Sequence, residues 1–394
     1  MNDNIVIVSA VRTAIGKFGG SLKDIDSGRL ASIVIEEAIK RANIEPTLVD
    51  EVIMGEVRQT TESSNVARVA ALRAGVPVTV PAFTVNRLCA SGMQAIVSGI
   101  QQIAFNQAEV VVAGGTENLS RAPFYLRNAR FGHGAPTLID SNLENGQQPT
   151  EIYGPNLGMG MTAENVAEKY GITREEQDEF ALESQMRAKK ALENEVFKDE
   201  IVPVEVKTRK ETFMFEVDEF PRPQSTMEAL SKLRPAFKKD GTVTAGNACG
   251  RNDGAAAVVI MRESKAKELG LTPMARIVDW ATSGVEPEIM GIGPVPAVKQ
   301  LLERTNLTMD DIGLFELNEA FAAQALGVIK ELDLDLDKVN VNGGAIALGH
   351  PLGATGARIT ITLLYEMMRR DVKYGISTLC VGGGQGMALL LERP

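Results

Sequence analysis

Three cysteines and two histidines are the residues of this chain best suited to covalent chemistry through a nucleophile. Cys89 follows an apolar stretch and precedes a predicted helix. The positive end of the helix dipole and free backbone N–H groups should therefore favour its thiolate. A thiolate in that position is a candidate nucleophile. The alternative is a buried cysteine that only fills space, because many free cysteines behave as small hydrophobic residues.

His350 lies in the glycine-rich stretch 342–356, where glycines permit a close backbone approach around the imidazole. We expect it at the end of a strand, in a position equivalent to that of Asn86 near Cys89. Such strand ends form the crevices in which open α/β sheets bind ligands. A structural histidine in a turn is the alternative. His133 lies in the loop stretch 131–136 and is predicted to be a solvated loop residue.

Cys380 precedes a second glycine-rich turn, residues 382–386. Backbone N–H groups exposed by such a turn can bind an oxyanion or a phosphate. No Lys-Ser/Thr pair follows the turn, so an oxyanion hole beside a second thiol is favoured over a phosphate loop. Asn318 lies where a predicted strand ends and a helix begins, and it could be only a helix N-cap.

Composition limits the classes of partner. The chain has 394 residues, 44% hydrophobic residues and a net charge of −10. Its length predicts two or three domains, and its charge argues against a nucleic-acid partner. We expect no membrane span, no signal segment, no disulfide framework and no zinc cluster. These features together predict a cytoplasmic protein.

Short apolar runs alternate with helical patterns such as 29–41 and 90–105, which indicates an α/β fold. The candidate strands form two sets, 5–9, 51–57, 82–86, 110–113 and 256–261, then 275–280, 313–317, 338–341, 375–381 and 387–392. Matching stretches recur in the same order in both sets, which favours a duplicated half over chance echoes of any βαβ chain.

The stretch between the two sets of strands differs in composition from both of them. It is rich in Gly, Pro and Asn, contains a helix predicted to begin with a Thr173–Glu176 capping box, and ends in a basic run. We therefore predict three units. Residues 1–118 with 251–270 form an N-terminal half, 119–250 an inserted loop domain, and 271–394 a C-terminal half.

Four blocks of the sequence resemble the signature blocks of thiolases. They are residues 89–92 (CASG), 318–324 (NEAFAAQ), 343–351 (GGAIALGHP) and 380–386 (CVGGGQG). Residues 4–20 and 240–257 resemble two further blocks. The resemblance covers nearly the whole chain, in order and in spacing.

The resemblance implies two similar α/β halves in an αβαβα sandwich, with a loop domain over the active site. It implies dimers or tetramers that act on acyl-coenzyme A thioesters without a metal or redox cofactor. Cys89 would accept the acyl group, activated by His350, and Cys380 would be the second acid/base. Asn318 would hold a water that stabilises the enolate oxygen with His350. The N–H groups of Cys89 and Gly382 would form the other oxyanion hole.

The resemblance also implies the coenzyme A contacts. Arg222 matches the position that meets the nucleotide end. The pantetheine and acyl tunnel would be lined by Phe237, Ala245, Cys249, Met159, Met290, Ala320 and Phe321. Two positions depart from the family: Cys249 stands where biosynthetic members usually have Ser, and Gly158 where they usually have His. The two bulky methionines favour a short acyl group.

We therefore expect an acetyl-CoA C-acetyltransferase of lipid metabolism that converts two acetyl-CoA into acetoacetyl-CoA and CoA. A degradative 3-ketoacyl-CoA thiolase of fatty-acid β-oxidation is the alternative within the family. A β-ketoacyl synthase with two active-site histidines is disfavoured, because only His133 is available as the second. A non-catalytic acyl-CoA-binding protein on the same scaffold is the alternative of another class.

Overall fold

The computed structural model describes residues 3–132, 134–144 and 146–394. His133, predicted to be a loop residue, lies outside the described residues. No helix in the described part of the chain is long and apolar enough to cross a bilayer.

Runs rich in Val, Ile and Ala form the strands, as β-branched side chains favour. In the described residues they are β1 Ile5–Thr13, β2 Gly16–Lys17, β3 Glu51–Gly55, β4 Ala82–Val85, β5 Val110–Asn118, β6 Phe124–Arg127, β7 Thr137–Asp140, β8 Ile201–Val202, β9 Val204–Lys207, β10 Thr212–Phe215, β11 Asn252–Arg262, β12 Ala275–Gly284, β13 Leu314–Leu317, β14 Tyr374–Val381 and β15 Gln385–Glu392.

The helices follow the strands in alternation. They are α1 Ser27–Arg41, α2 Val66–Arg73, α3 Ser91–Ala104, α4 Thr150–Tyr153, α5 Met159–Tyr170, α6 Arg174–Glu193, α7 Met227–Ser231, α8 Glu263–Glu268, α9 Pro294–Thr305, α10 Ala322–Leu332, α11 Ala345–Leu348 and α12 Leu352–Arg370. The capping box at the start of α6 is confirmed, with Thr173 and Glu176 each bonding the other's backbone.

The strand order shows two similar sheets joined at one edge. The first runs β4-β3-β5-β11-β1 and the second β12-β15-β14-β13, and β1 pairs with β12 between them. In the first, β3 is parallel to β4 and β5, and β11 is antiparallel to β5 and β1. In the second, β13 is parallel to β14, and β15 is antiparallel to β14 and β12. The predicted duplicated α/β fold is confirmed.

Five layers of helices and strands pack against one another through three hydrophobic clusters. One cluster joins α1 and α2 to one face of the first sheet, and another joins α9 and α10 to one face of the second. The central cluster holds α3 and α12 between the remaining faces of the two sheets. Because both faces of each sheet are covered, their strands are almost continuously apolar. The result is the predicted αβαβα sandwich.

One predicted strand is wrong. Residues 338–341 form only a single parallel bridge, between Val339 and Phe315, after a short 3₁₀ turn. This segment occupies the place in the second half that β4 has in the first. Asn340 has a left-handed φ of 46° and its side chain bonds Leu317, so the backbone leaves the extended conformation after one pair.

The chain leaves the first sheet after β5 and returns at β11. Between these strands it forms two short hairpins, β6–β7 and β9–β10, and the helices α4 to α7. Helices α5 and α6 pack against α10, so the segment lies over the second half as well as the first.

Candidate active site

A tight turn between β4 and α3 presents Cys89. The hydroxyl of Ser91 accepts the Arg87 N–H at 2.9 Å and donates to the Leu88 carbonyl at 2.6 Å. Leu88 has a φ of 46°, in the left-handed region that a leucine rarely adopts. The turn therefore holds the half-buried Cys89 just ahead of the first turn of α3.

The backbone N–H groups of Cys89 itself and of Gly382 lie near the Cys89 sulfur and act to lower its pKa. These are the two amides that the family resemblance assigns to an oxyanion hole. Burial nevertheless outweighs them and raises the pKa of Cys89 to about 11. The prediction that the helix terminus favours a thiolate is wrong for the unliganded protein, which holds a thiol here at neutral pH.

All three cysteines are free and act on one another electrostatically. Cys380 ends β14 almost fully buried, and its pKa is raised well above that of an ordinary thiol by burial and then by Cys89 and Cys249. Burial likewise raises the pKa of Cys249 to about 12. The fold thus brings together side chains that are far apart in the sequence, and it keeps each of them protonated at neutral pH.

His350 is held in one tautomer. Its backbone N–H donates to Asn252 Oδ1 at 2.9 Å, and its Nδ1 lies 2.7 Å from Thr355 Oγ1. The Thr355 hydroxyl also lies 2.9 Å from the Pro351 carbonyl, which can only accept, so both contacts are satisfied when the hydroxyl donates there and accepts from the ring. Nδ1 therefore carries the proton and Nε2 a lone pair. Nε2 is buried and has no hydrogen-bond partner among the described residues, and burial lowers the pKa of His350 to about 3.

Asn318 follows β13 and is 1% exposed. Its backbone N–H bonds the Thr378 carbonyl at 3.0 Å, which places it beside the end of β14. Within the part of the chain that the structure describes, neither its amide oxygen nor its amide nitrogen has a hydrogen-bond partner. The N-cap alternative is wrong, because α10 begins four residues later, at Ala322, with Phe321 at its N-cap. Such a buried amide is available to a water or a ligand.

Apolar residues surround Cys380. Met290, Ala320 and Phe321 form a buried cluster with it, and the half-buried Met159 packs against the cluster. Phe237 is 47% exposed and meets the Phe321 ring edge-on at 6.1 Å. Five of the predicted tunnel residues are therefore contiguous with Cys380.

Two of the predicted coenzyme A contacts lie towards the surface. Arg222 is exposed, and its guanidinium lies 5.2 Å from the centre of the Phe220 ring. Ala245 is exposed on the segment that leads to Cys249, whose N–H bonds the Ala320 carbonyl at 3.0 Å. Gly158 is the N-cap of α5. This helix start therefore lacks the imidazole that biosynthetic members of the family usually have there.

The basic run at the end of the inserted segment is fully exposed around Lys232 to Lys239. Lys238 pairs with Glu168 at 2.9 Å, and Lys232 pairs with Glu228. Part of its charge is thus already matched by neighbouring carboxylates.

Sequence reasoning missed the residues that fix His350, namely Thr355 and Asn252. Thr355 carried a signal, since a hydroxyl five residues beyond a histidine at a helix start can reach back to the ring. Asn252 carried none, because it lies 98 residues from His350 in the chain. Within the described ranges, no group of His, Cys, Asp and Glu side chains is arranged to hold a metal ion.

Comparisons with known proteins agree with this geometry. Residues 5–264 match the family model of the thiolase N-terminal domain, and residues 271–393 that of the thiolase C-terminal domain. The chain is 55% identical over 394 residues to an acetyl-CoA acetyltransferase of Escherichia coli, covering 99% of each chain. It is 52% identical over 398 residues to one of Syntrophomonas wolfei, covering 100% of each.

Solved structures are similar over the same length. The acetyl-CoA acetyltransferase of Bacillus anthracis superposes with a TM-score of 0.96 at 52% identity, covering 100% of this chain and 99% of that one. The human mitochondrial 3-ketoacyl-CoA thiolase superposes with a TM-score of 0.95 at 48% identity, with the same coverage. Two matching family models that together span nearly all of the sequence, on this fold, show that the chain belongs to the thiolase family.

Proposed function

We propose that the chain is an acetyl-CoA C-acetyltransferase that interconverts two acetyl-CoA with acetoacetyl-CoA and CoA through an acetyl-Cys89 intermediate. The observation that carries the proposal is that the fold brings Cys89 close to the backbone N–H of Gly382 and to a second buried thiol, Cys380. The names of the relatives described above support the same assignment.

The first step of thiolysis begins from the protonation states given above. The Cys89 sulfur attacks the 3-keto carbon of acetoacetyl-CoA while its proton moves to Nε2 of His350. The N–H groups of Cys89 and Gly382 then donate to the oxygen that becomes negative. The bond between C2 and C3 breaks, and the enolate of acetyl-CoA takes a proton from the Cys380 thiol.

The second step returns both thiols to their starting state. The thiol of CoA gives its proton to the Cys380 thiolate and attacks the acetyl carbonyl on Cys89. Cys89 leaves and recovers its proton from His350. Asn318 supplies polar atoms for a water that, with His350, stabilises the enolate oxygen. Condensation is the reverse sequence, and it needs no metal or redox cofactor.

The apolar cluster sets the acyl group. Met290 is 3% exposed and lies with Phe321 and Cys380 in a packed cluster, and these bulky neighbours favour a short acyl group. The degradative alternative is tested by thiolysis of acetoacetyl-CoA against a 3-ketoacyl-CoA of about eight carbons. We expect the shorter substrate to react faster, and equal or faster turnover of the longer one would overturn the short-chain assignment.

Mass spectrometry of the intact protein after mixing with acetyl-CoA tests the central step. We expect one acetyl adduct, mapped to Cys89, that is absent in Cys89→Ser and persists in Cys249→Ser. Because a hydroxyl is a far poorer nucleophile, Cys89→Ser should also lose turnover by at least about 1,000-fold. Absence of any acyl adduct, with no activity to lose on replacing Cys89, would favour the non-catalytic alternative. An adduct on Cys249 instead would contradict the assignment of Cys89.

We further propose that the protein works as a homodimer or homotetramer in the cytoplasm. The free state of its three cysteines supports a reducing compartment. Strand β4 is a sheet edge, and the β6–β7 hairpin exposes Phe124, Leu126 and Leu138. Such edges and apolar patches favour contact with a second copy. Sedimentation of the purified chain as a monomer would contradict this assembly.

A further inference from the structure

Glu117 lies near the end of β5, fully buried, and its carboxylate accepts three backbone N–H groups. Oε1 accepts from Arg58 at 3.0 Å, while Oε2 accepts from Val57 at 3.1 Å and from Gly353 at 2.9 Å. These donors belong to both halves of the fold. A hydrogen bond to a charged carboxylate is stronger than a neutral one, so this buried carboxylate can hold its three donors in place. We call Glu117 and these three N–H groups the anchor.

One arm of this anchor leads to the turn that carries Cys89. The Val57 carbonyl accepts from Asn86 Nδ2 at 3.4 Å, and Asn86 Oδ1 accepts the Leu88 N–H at 2.9 Å. Leu88 is the residue in the left-handed conformation. The unusual backbone next to Cys89 is therefore linked through Asn86 and Val57 to the carboxylate of Glu117.

The other arm leads to His350. Gly353 is the second residue of α12, and its N–H is one of the groups that a helix start leaves without an intrahelical partner. A Cβ on Gly353 would lie 2.4 Å from the Thr116 carbonyl, so α12 begins in direct contact with β5. The same helix start carries Thr355, which orients the imidazole.

The pKa of Glu117 lies near neutral pH. Burial raises its pKa to about 7, against the lowering effect of the three N–H donors and of Arg58. Glu56 faces it from the segment after β3 and Cys89 from the start of α3, and Asp26 lies beyond Glu56. On β11, Gly254 lies directly opposite Glu117, and Asp253 is its neighbour.

We propose that Glu117 is a positioning residue whose ionised carboxylate holds the Cys89 turn and the His350 turn in register across the two halves. This inference rests on the proposed function, since it assumes that Cys89 and His350 act together. Protonation of one oxygen puts an O–H where an N–H now donates. One arm then loosens, and acetylation of Cys89 slows.

The test uses Glu117→Gln, with Glu56→Gln as the matched control. Glu56 is a neighbouring buried carboxyl that bonds Ser27 and holds neither turn. The rate of Cys89 acetylation by acetyl-CoA is followed by quenched-flow mass spectrometry between about pH 5.5 and 9. Exchange of the Arg58 and Gly353 amides with deuterium is measured in parallel, because it reports the anchor without any catalysis.

In the wild type the acetylation rate should rise through an inflection near pH 7. Glu117→Gln should lower the plateau by about 10- to 100-fold, abolish the inflection and speed exchange of both amides. Glu56→Gln should keep the inflection and the slow exchange. Glu117→Asp keeps the charge on a shorter stem, so it should restore the inflection at a reduced rate, and it serves if Glu117→Gln is poorly folded.

An unchanged plateau and inflection in Glu117→Gln would overturn the proposal, as would loss of the inflection in Glu56→Gln alone. Slow exchange of both amides in Glu117→Gln would overturn it as well. A wild-type protein that never forms an acetyl adduct would instead sink the proposed function, and the exchange measurement would still decide whether Glu117 holds the two turns.

Discussion

A buried arginine joins the inserted segment to the first sheet, and removing it should make the protein easier to unfold. Arg12 on β1 is 1% exposed. Its Nε bonds Glu200 at 2.6 Å, and its two terminal nitrogens bond Asp218 at 2.8 and 2.9 Å. Its guanidinium also lies 5.1 Å from the centre of the Phe197 ring. The Ile15 N–H gives Asp218 a third bond, at 2.7 Å.

Arg12→Ala would leave two buried carboxylates without their cation. Breaking a buried ion pair from one side costs about 3–5 kcal/mol, because the remaining charge stays desolvated. We expect the melting temperature at pH 8 to fall by roughly 4–6 °C. Asp218 lies four residues before Arg222, so the KM for the coenzyme A substrate should rise more than kcat falls.

The loss of stability in Arg12→Ala should depend on pH, in a direction set by the pKa of Glu200. Burial raises the pKa of Glu200, and the charge of Arg12 opposes that rise. Without Arg12 the pKa of Glu200 rises further. A carboxyl whose pKa is raised on folding favours the folded state below its unfolded pKa and loses that contribution as pH rises through the folded value. The Arg12→Ala variant should therefore lose less stability at pH 5.5 than at pH 8.

Scanning calorimetry at both pH values measures the effect. Lys198→Ala is the matched control, because Lys198 pairs with Glu195 at 2.9 Å on the same segment but both side chains are exposed. It should leave the melting temperature unchanged. An Arg12→Ala protein that melts with the wild type, or that is destabilised equally at both pH values, would refute the reasoning.

Two further predictions concern the thiols and the contact between the halves. Cys380→Ala should still form the acetyl adduct on Cys89 but lose condensation by at least about 100-fold, as measured by acetoacetyl-CoA formation; normal condensation would remove Cys380 from the scheme. Gly115→Ala would place a Cβ 1.9 Å from the Gly353 carbonyl and should cost about 1–3 kcal/mol by chemical denaturation. Gly146→Ala, with nothing within 4 Å of its Cβ, should be neutral.

Periodicity and composition predicted most of the fold. Each β-branched run except 338–341 is a strand, because an apolar run of that length has little choice once both sheet faces are covered. The duplication was visible in the matching stretches of the two strand sets, and the structure places β5 and β14, and likewise β11 and β15, in equivalent positions of the two sheets. The exception depends on Asn340, whose left-handed φ no pattern of hydrophobicity could indicate.

The sequence predicted which residues form the site better than it predicted their pKa values and protonation states. A cysteine at a helix start suggests a thiolate, but the pKa depends on how much protein covers the sulfur, which is a property of the assembled halves. Similarly, the tautomer of His350 depends on the Thr355 hydroxyl and on where that hydroxyl sends its own proton. Glu117 follows two glycines at the end of an apolar strand, and only the fold shows that its partners lie 59 and 236 residues away.

The raised pKa of Cys89 and the lowered pKa of His350 have one cause and one consequence. The cause is burial, which disfavours the charged form of each group. The consequence is that both groups are neutral at neutral pH, so a thiolate and an imidazolium can form only while something in the pocket stabilises the separated charges. The two N–H groups near the sulfur can do this when a thioester oxygen accepts from them and becomes negative. A nucleophile that loses its proton only as the substrate reacts stays a thiol between turnovers, and a thiol is less open to oxidation than a thiolate.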